Sequence, residues 1–499
     1  MSYEFETLPE EEPRPSRWRS CGFTLIALAL IVSLLGSSLL AFYLLVVERT
    51  SLTSTAVSPA AAQQQPTELA ATDPTDAAPT PPTAVTEPLA ATESPAASAA
   101  SAADRLDRIA FINPAGQLVT IAPDGRDARI LSDTGARFQF PAWAPTDNRI
   151  AAIGGSRGGS GVFVVTDEPA AAPPLELYAS ANQTPIYLYW APDGQALSFL
   201  ANDRRETLAL YLVDTAGEGA GQRLAGGSPF YWHWTADSRE MLVHVGFAGD
   251  AARMALIDRN GRERVPLGSA PGFFQSPAIS ADGRFWSYAQ MQAGGVSWLI
   301  VDNREADETY TQRHAGAIAF SWSPTANQLA YISGEPDSYR FWGPLRLRDA
   351  DTGEERLLSD EFVLAFFWSP DGQKIAVISA ELDGAGGVEA LLPGDAKAAW
   401  RVAKPTQQMF AHRFRLSVIN PRTGEGLRLA SFTPSTLFIN QFLPFFDQYA
   451  HSHRLWSPDS SALVLPVVED RVTKIMVAPV GGGRMREIAR GDMPFWSRQ

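Results

Sequence analysis

The chain has 499 residues, 45% of them hydrophobic and 19% charged, with a formal net charge of −14. A single cysteine excludes a disulfide framework and any cysteine-based zinc site. The acidic balance argues against a nucleic-acid partner, which would select a basic face.

The first 104 residues read as three segments. Residues 1–21 form a short polar tail that begins acidic and ends with Arg14, Arg17 and Arg19. Gly22 to Val47 is a charge-free apolar run of 26 residues. As a helix it spans roughly 39 Å, enough to cross a hydrocarbon core of about 30 Å. It is much longer than the h-region of a cleaved signal peptide, so an uncleaved membrane anchor is expected. Three arginines precede the run, and after Arg49 no basic residue occurs until Arg105. That asymmetry puts the N-terminus in the cytoplasm and the bulk of the chain outside, as a single-pass protein of the cell membrane.

Residues 48–104 read as a disordered stalk. Between 51 and 103, Ala, Thr, Pro and Ser fill 40 of 53 positions, and apolar residues larger than alanine are nearly absent. Such a segment cannot bury enough surface to offset chain entropy, and its prolines favour extended conformations.

From 105 to 499 one unit recurs. An aromatic-rich strand ends at an anchor, which is Trp143, Trp190, Trp234, Ile279, Trp322, Trp368, Trp456 and finally Trp496. A Pro-Asp-Gly turn or a relative follows, then further strands separated by Asp- and Gly-containing turns. A period near 45 with four short strands per unit predicts an all-β fold, a β-propeller of eight blades, with seven as the fallback. Residues 107–132 form a blade without its first strand, and the chain stops just after Trp496. The C-terminal strand is therefore expected to complete the N-terminal blade and close the ring.

The motifs WAPDG (190–194), WSPDG (368–372) and WSPDS (456–460), with the strands KIAVIS and LYLVD, resemble the PD40, TolB-like (WD40-like) propeller repeat. The resemblance covers about 105–499. It implies a propeller fold, and it implies roles as different as envelope protein-binding modules and the gating propellers of serine peptidases.

Catalytic signatures are weak. Gly158-Gly159-Ser160-Gly161-Val162 lacks the last glycine of a nucleophile elbow, and no length remains for a hydrolase domain. Aspartates occur in nearly every turn, where capping of their own backbone explains them. Asp349-Ala350-Asp351-Thr352-Gly353-Glu354 resembles a fragment of a calcium loop but is too short for one. His451 and His453, with His412 or His233, are the only histidine grouping to weigh as metal ligands, and ordinary channel-side histidines explain them better. Neither a cofactor nor a metal is expected.

Partner contact is the more suggestive reading. The first strand of a propeller blade is innermost, so Tyr187, Tyr189, Trp232, His233 and Gln275 are candidates for a binding rim or for packing between blades. The unit from Trp368 to Leu455 is nearly twice the period and holds insertions at about 381–411 and 433–450. The second has five aromatics in seventeen residues, and Phe442, Phe445, Phe446, His451 and His453 are candidate contacts there. Such a cluster marks either a partner surface or a satellite core. The expected function is a membrane-anchored, non-catalytic module that binds a protein, peptide or glycan outside the membrane. The alternatives are an enzyme at the channel mouth and a transmembrane sensor.

Overall fold

A computed structural model describes residues 106–498, apart from 133–134, 157, 171, 218–220, 248–251, 268–269, 293–295, 335–340 and 382–412. The apolar run 22–47, the stalk, His412 and the first insertion lie outside the described residues. No helix among the described residues is long and apolar enough to cross a membrane.

The strands assemble into antiparallel sheets that follow the repeat. Four sheets of four strands cover 138–180, 185–226, 230–266 and 278–314. A seven-stranded sheet from 318 to 432 contains two blades, joined because the strand Glu355–Trp368 belongs to both. Its first half pairs with Gly343–Asp349 as the outer strand of one blade. Its second half pairs with Ile375–Ala380 as the inner strand of the next. The last full unit has strands Ala462–Glu469, Val472–Pro479 and Arg486–Arg490, and its inner strand is reduced to a bridge between Trp456 and Leu463.

The remaining sheet joins the two ends of the domain. Strand Asp492–Trp496 pairs antiparallel with Ile109–Ile112, placing Ile109 opposite Trp496 and Ala110 opposite Phe495. This sheet, blade 1, is completed by Leu118–Ile121 and Arg129–Ile130. Counting on from it gives eight blades, with Asp492–Trp496 touching the inner strand of blade 2 and the first full strand of blade 8. The pairing leaves no unpaired inner edge at the seam.

The anchors have a physical role that explains their recurrence. Four of the indoles reach across to the preceding blade and donate to the carbonyl just before that blade's anchor, while Trp496 donates to Asp107 Oδ1 instead. Trp143 donates to Phe495 O at 3.1 Å, Trp190 to Ala142 O at 2.9 Å, Trp368 to Ser321 O at 3.1 Å and Trp456 to Phe367 O at 3.0 Å. Trp234 uses a relay, donating to Ser198 Oγ, which itself donates to Tyr189 O at 2.7 Å. The large ring fills the wedge between two blades while its one polar atom stays satisfied. Trp322, which follows the blade anchored by Ile279, has no partner for its buried Nε1.

The turns after the anchors follow the same local chemistry. Asp147, Asp193, Asp237, Asp282, Asp371 and Asp459 each accept from the backbone N–H two residues on. Gly194 and Gly372 have φ of +68° and +67°, and an added Cβ would meet Thr146 and Thr325 of the preceding blade. The aspartates are thus committed to Asx-turns. Asp349 likewise caps Thr352 within a hairpin turn, and Asp351 pairs with Arg284 of the neighbouring blade, which leaves no calcium loop there.

Candidate functional site

The second insertion is the feature that defines the centre of the ring. Ser435 caps its start, with Phe438 N donating to Ser435 Oγ at 3.2 Å. A π-helical turn, Phe438–Phe442, a 3₁₀ turn at Pro444, Leu443–Phe445, and a short α-helix, Phe446–Ser452, follow. Phe438, Phe442 and Phe446 recur at intervals of four and fall on one side of this helical stretch. The helix Phe446–Ser452 touches the inner strands of blades 3, 4, 6 and 7. Elements on opposite sides of the ring share it because it runs through the central channel as a plug.

Aromatic rings hold the plug. Phe446 packs against Phe341, Phe366 and Phe367, and Phe442 against Phe367, Tyr449 and Phe495. Its central polar side chains, Asp447 and Gln448, are also matched, whereas the buried Nε2 of His451 is not. Gln448 Nε2 donates to Trp232 O at 3.0 Å and to the Tyr187 hydroxyl at 3.1 Å, while Gln448 Oε1 accepts from Trp232 N at 3.0 Å. The Tyr187 hydroxyl donates to Gln448 O at 2.8 Å. Asp447 accepts from Ser276 N at 3.1 Å and from Gln448 N at 2.9 Å. Burial of this carboxyl pushes its pKa up to about 7, outweighing the hydrogen bonds that favour the anion.

The candidate contact residues therefore divide. Tyr187, Tyr189, Trp232, Phe442, Phe446 and His453 are buried. Each faces the plug or belongs to it, so its surface packs inside the channel, in line with the packing alternative. His233, Gln275, Phe445 and His451 are half-buried. Sequence alone did not mark Asp447, Gln448, Arg454 or Arg498. The only available signal was that polar residues alternate with aromatics inside an apolar insertion.

Each inner strand ends at its anchor, so the ring has an anchor-side mouth and an entry-side mouth where the plug begins. The entry-side ends of several blades carry apolar side chains: Trp342 packs on Phe362 with ring centroids 6.2 Å apart, Phe273 and Phe445 are half-buried, and Ile186 and Phe247 are 37% and 38% exposed. At the anchor side His451 stacks on His233 with ring centroids 3.9 Å apart, and Tyr189 lies on His451 at 6.1 Å. His233 Nδ1 accepts from Ile279 N at 2.9 Å. Burial holds both imidazoles well below their ordinary pKa, His451 near 3, so both are neutral. His453 turns away to Ser452 Oγ at 2.6 Å. No group of three His, Cys, Asp or Glu side chains among the described residues is placed to hold a metal ion. A separate cleft of about 660 Å³ lies at the periphery between blades 1 and 2, lined by Arg129, Ile130, Glu168 and Pro173 among others.

The buried carboxyl gives a pH signature. In the fold Asp447 keeps its proton up to about pH 7, whereas an ordinary aspartate releases it near 3.8. The native state thus binds a proton that the unfolded chain has lost, and Asp447 costs stability increasingly as pH rises through that window. The buried histidines act in the opposite sense, losing stability as pH falls below about 6.5. Comparison with Asp447→Asn isolates the carboxyl. The urea midpoint of the wild type, relative to that variant, is expected to fall between pH 5 and pH 8. A constant difference would show that Asp447 is ionised throughout.

No family model matches this chain. No curated protein matches it either. Solved structures similar to it include a putative TolB from Agrobacterium tumefaciens, 20% identical, covering 51% of this chain and 89% of that one, with a TM-score of 0.32. An oligogalacturonate lyase in complex with manganese is 13% identical, covering 72% and 86%, with a TM-score of 0.41. A prolyl endopeptidase is 8% identical, covering 71% of this chain and 50% of that one, with a TM-score of 0.47. All three likenesses have TM-scores below 0.5, and the reading of function rests on this chain's own surfaces.

Proposed function

We propose that the chain is a membrane-anchored propeller that binds a protein or glycan partner outside the membrane without catalysing a reaction. The observation that carries this reading is the plug. The central channel, which in an open propeller is a ready pocket, is filled here by the chain's own Phe442, Phe446 and Tyr449. Recognition then falls to the mouths, and the entry-side rim is the apolar one. Aromatic side chains around a closed centre are what binding hot spots are made of. The run Gly22–Val47 and the stalk, read from sequence, would hold this rim away from the membrane.

The test uses the full-length chain in intact spheroplasts. A photo-crosslinking residue replaces either Phe247 at the entry side or Asp193 in an anchor-side turn. A discrete adduct is expected from position 247 alone, and external protease is expected to degrade it. Equal labelling from both positions would remove the rim from the proposal, and protection from protease would reverse the topology.

A second reading is an enzyme working at the anchor-side mouth. The cluster of Tyr189, His233, His451, Arg454 and Arg498 favours it, since perturbed titratable groups gather at catalytic sites. Against it, the imidazoles are shifted by burial, and the nearby carboxyl of Asp447 is bound to backbone N–H groups of Ser276 and Gln448.

A further inference from the structure

Two arginines meet at the anchor-side mouth. Arg454 leaves the end of the plug and donates from Nη1 to the Arg498 carbonyl at 3.1 Å. Arg498, just beyond the closing strand, donates from Nη2 to the His451 carbonyl. Both side chains are half-buried, so each keeps part of its surface open. Their partners are carbonyl oxygens, and among the described residues neither guanidinium has a carboxylate within 4.0 Å.

The two buried arginines of the described residues show two ways of holding such a charge: Arg348 lies over the Tyr310 ring and donates to the Gly353 carbonyl at 3.0 Å, and Arg108 is matched by acids. Arg108 is held by Asp167 at 2.7 Å and Asp127 at 2.8 Å, a full set of counter-charges. A guanidinium keeps its charge when it leaves water, so two of them in one half-buried mouth repel each other and lose hydration together. Their surroundings do not compensate, because His233 and His451 are neutral and Tyr189 holds its proton. Burial and the charge of Arg498 bring Arg454 down to about 9. Among the described residues the pair lacks a negative charge, and their planar forks match the geometry of oxyanions.

We propose that the anchor-side mouth is a binding site for an oxyanion, a carboxylate or phosphate group carried by a ligand, clasped between Arg454 and Arg498 beside the ring of His451. This site is independent of the entry-side rim, so either stands if the other fails.

The full-length chain in detergent is titrated with inorganic phosphate, with acetate and with chloride at matched ionic strength. A ligand that binds only the folded state raises the melting temperature along a saturating curve. Saturation is expected for phosphate, or for phosphate and acetate, over a chloride baseline. Phosphate alone would identify the ligand group as a phosphate, and a response to both as any oxyanion, carboxylates included. Arg498→Gln and Arg454→Gln are each expected to weaken the apparent affinity by about tenfold or more.

A second measurement needs no variant. Phosphate is expected to protect Arg454 and Arg498 of the wild type from phenylglyoxal, read by mass spectrometry, and to leave the exposed Arg126 unprotected. No saturable shift beyond chloride, an undiminished response in both variants, or equal modification with and without phosphate would each overturn the site.

Discussion

Deleting residues 491–499 is expected to unfold the propeller or to lower its melting temperature by roughly 10 °C or more. The segment is the inner strand of blade 1, and it carries Phe495 and Trp496, which are 3% and 1% exposed. Emptying one buried aromatic site costs about 3–5 kcal/mol, and two such losses approach the whole stability of an ordinary domain. The damage reaches both neighbours. Trp143 loses the carbonyl of Phe495 that satisfies its indole, and Ile109–Ile112 becomes a free edge. Near-UV circular dichroism of the full-length and truncated chains against temperature decides the matter. Melting of the truncated chain within about 2 °C of the intact one would mean that the ring holds without this seam.

The plug gives the second large effect. Phe446→Ser is expected to destabilise the domain by about 3–5 kcal/mol, since it removes a ring that is 0% exposed and buries a hydroxyl in its place. Phe442→Ser is expected to behave similarly, because its ring bridges the plug to Phe367 of blade 7 and Phe495 of blade 1. Phe445→Ser serves as the internal control. That ring is half-buried at the entry-side mouth, and its loss should be the mildest of the three. Chemical denaturation of the three variants measures the order directly. Equal and small losses would return the insertion to the surface and restore it as a direct partner contact.

These expectations show which level of the chain carries which information. The repeat was legible because its signals are local. A tryptophan, a Pro-Asp-Gly turn and an alternating strand lie within some sixteen residues, and an Asx-turn such as that of Asp371 is complete within three. The divergent units were legible for the same reason: Ser238 and Ser460 take up the positive φ that glycine holds elsewhere, at 61° and 60°. The split between 107–132 and the last strand was also readable, since a blade lacking one strand and a strand lacking a blade account for each other.

The centre of the ring was not legible in this way. An apolar insertion has the same composition whether it covers a surface or fills a hole, and 433–450 gave equal weight to both. What decides is the space left by eight inner strands whose lining residues lie about forty-five positions apart. Tyr187 meets Gln448, 261 residues away, only once the ring has closed around it. The stacking of His233 on His451 and the approach of Arg454 to Arg498 depend on that closure too. Period and turn chemistry thus determined the blades and their order from the sequence itself. Tertiary structure alone decided that the channel is plugged, that most of the aromatic candidates are core, and that two arginines are left facing one mouth. The physical reason is that burial and counter-charge depend on neighbours brought together in space, and a linear pattern does not contain them.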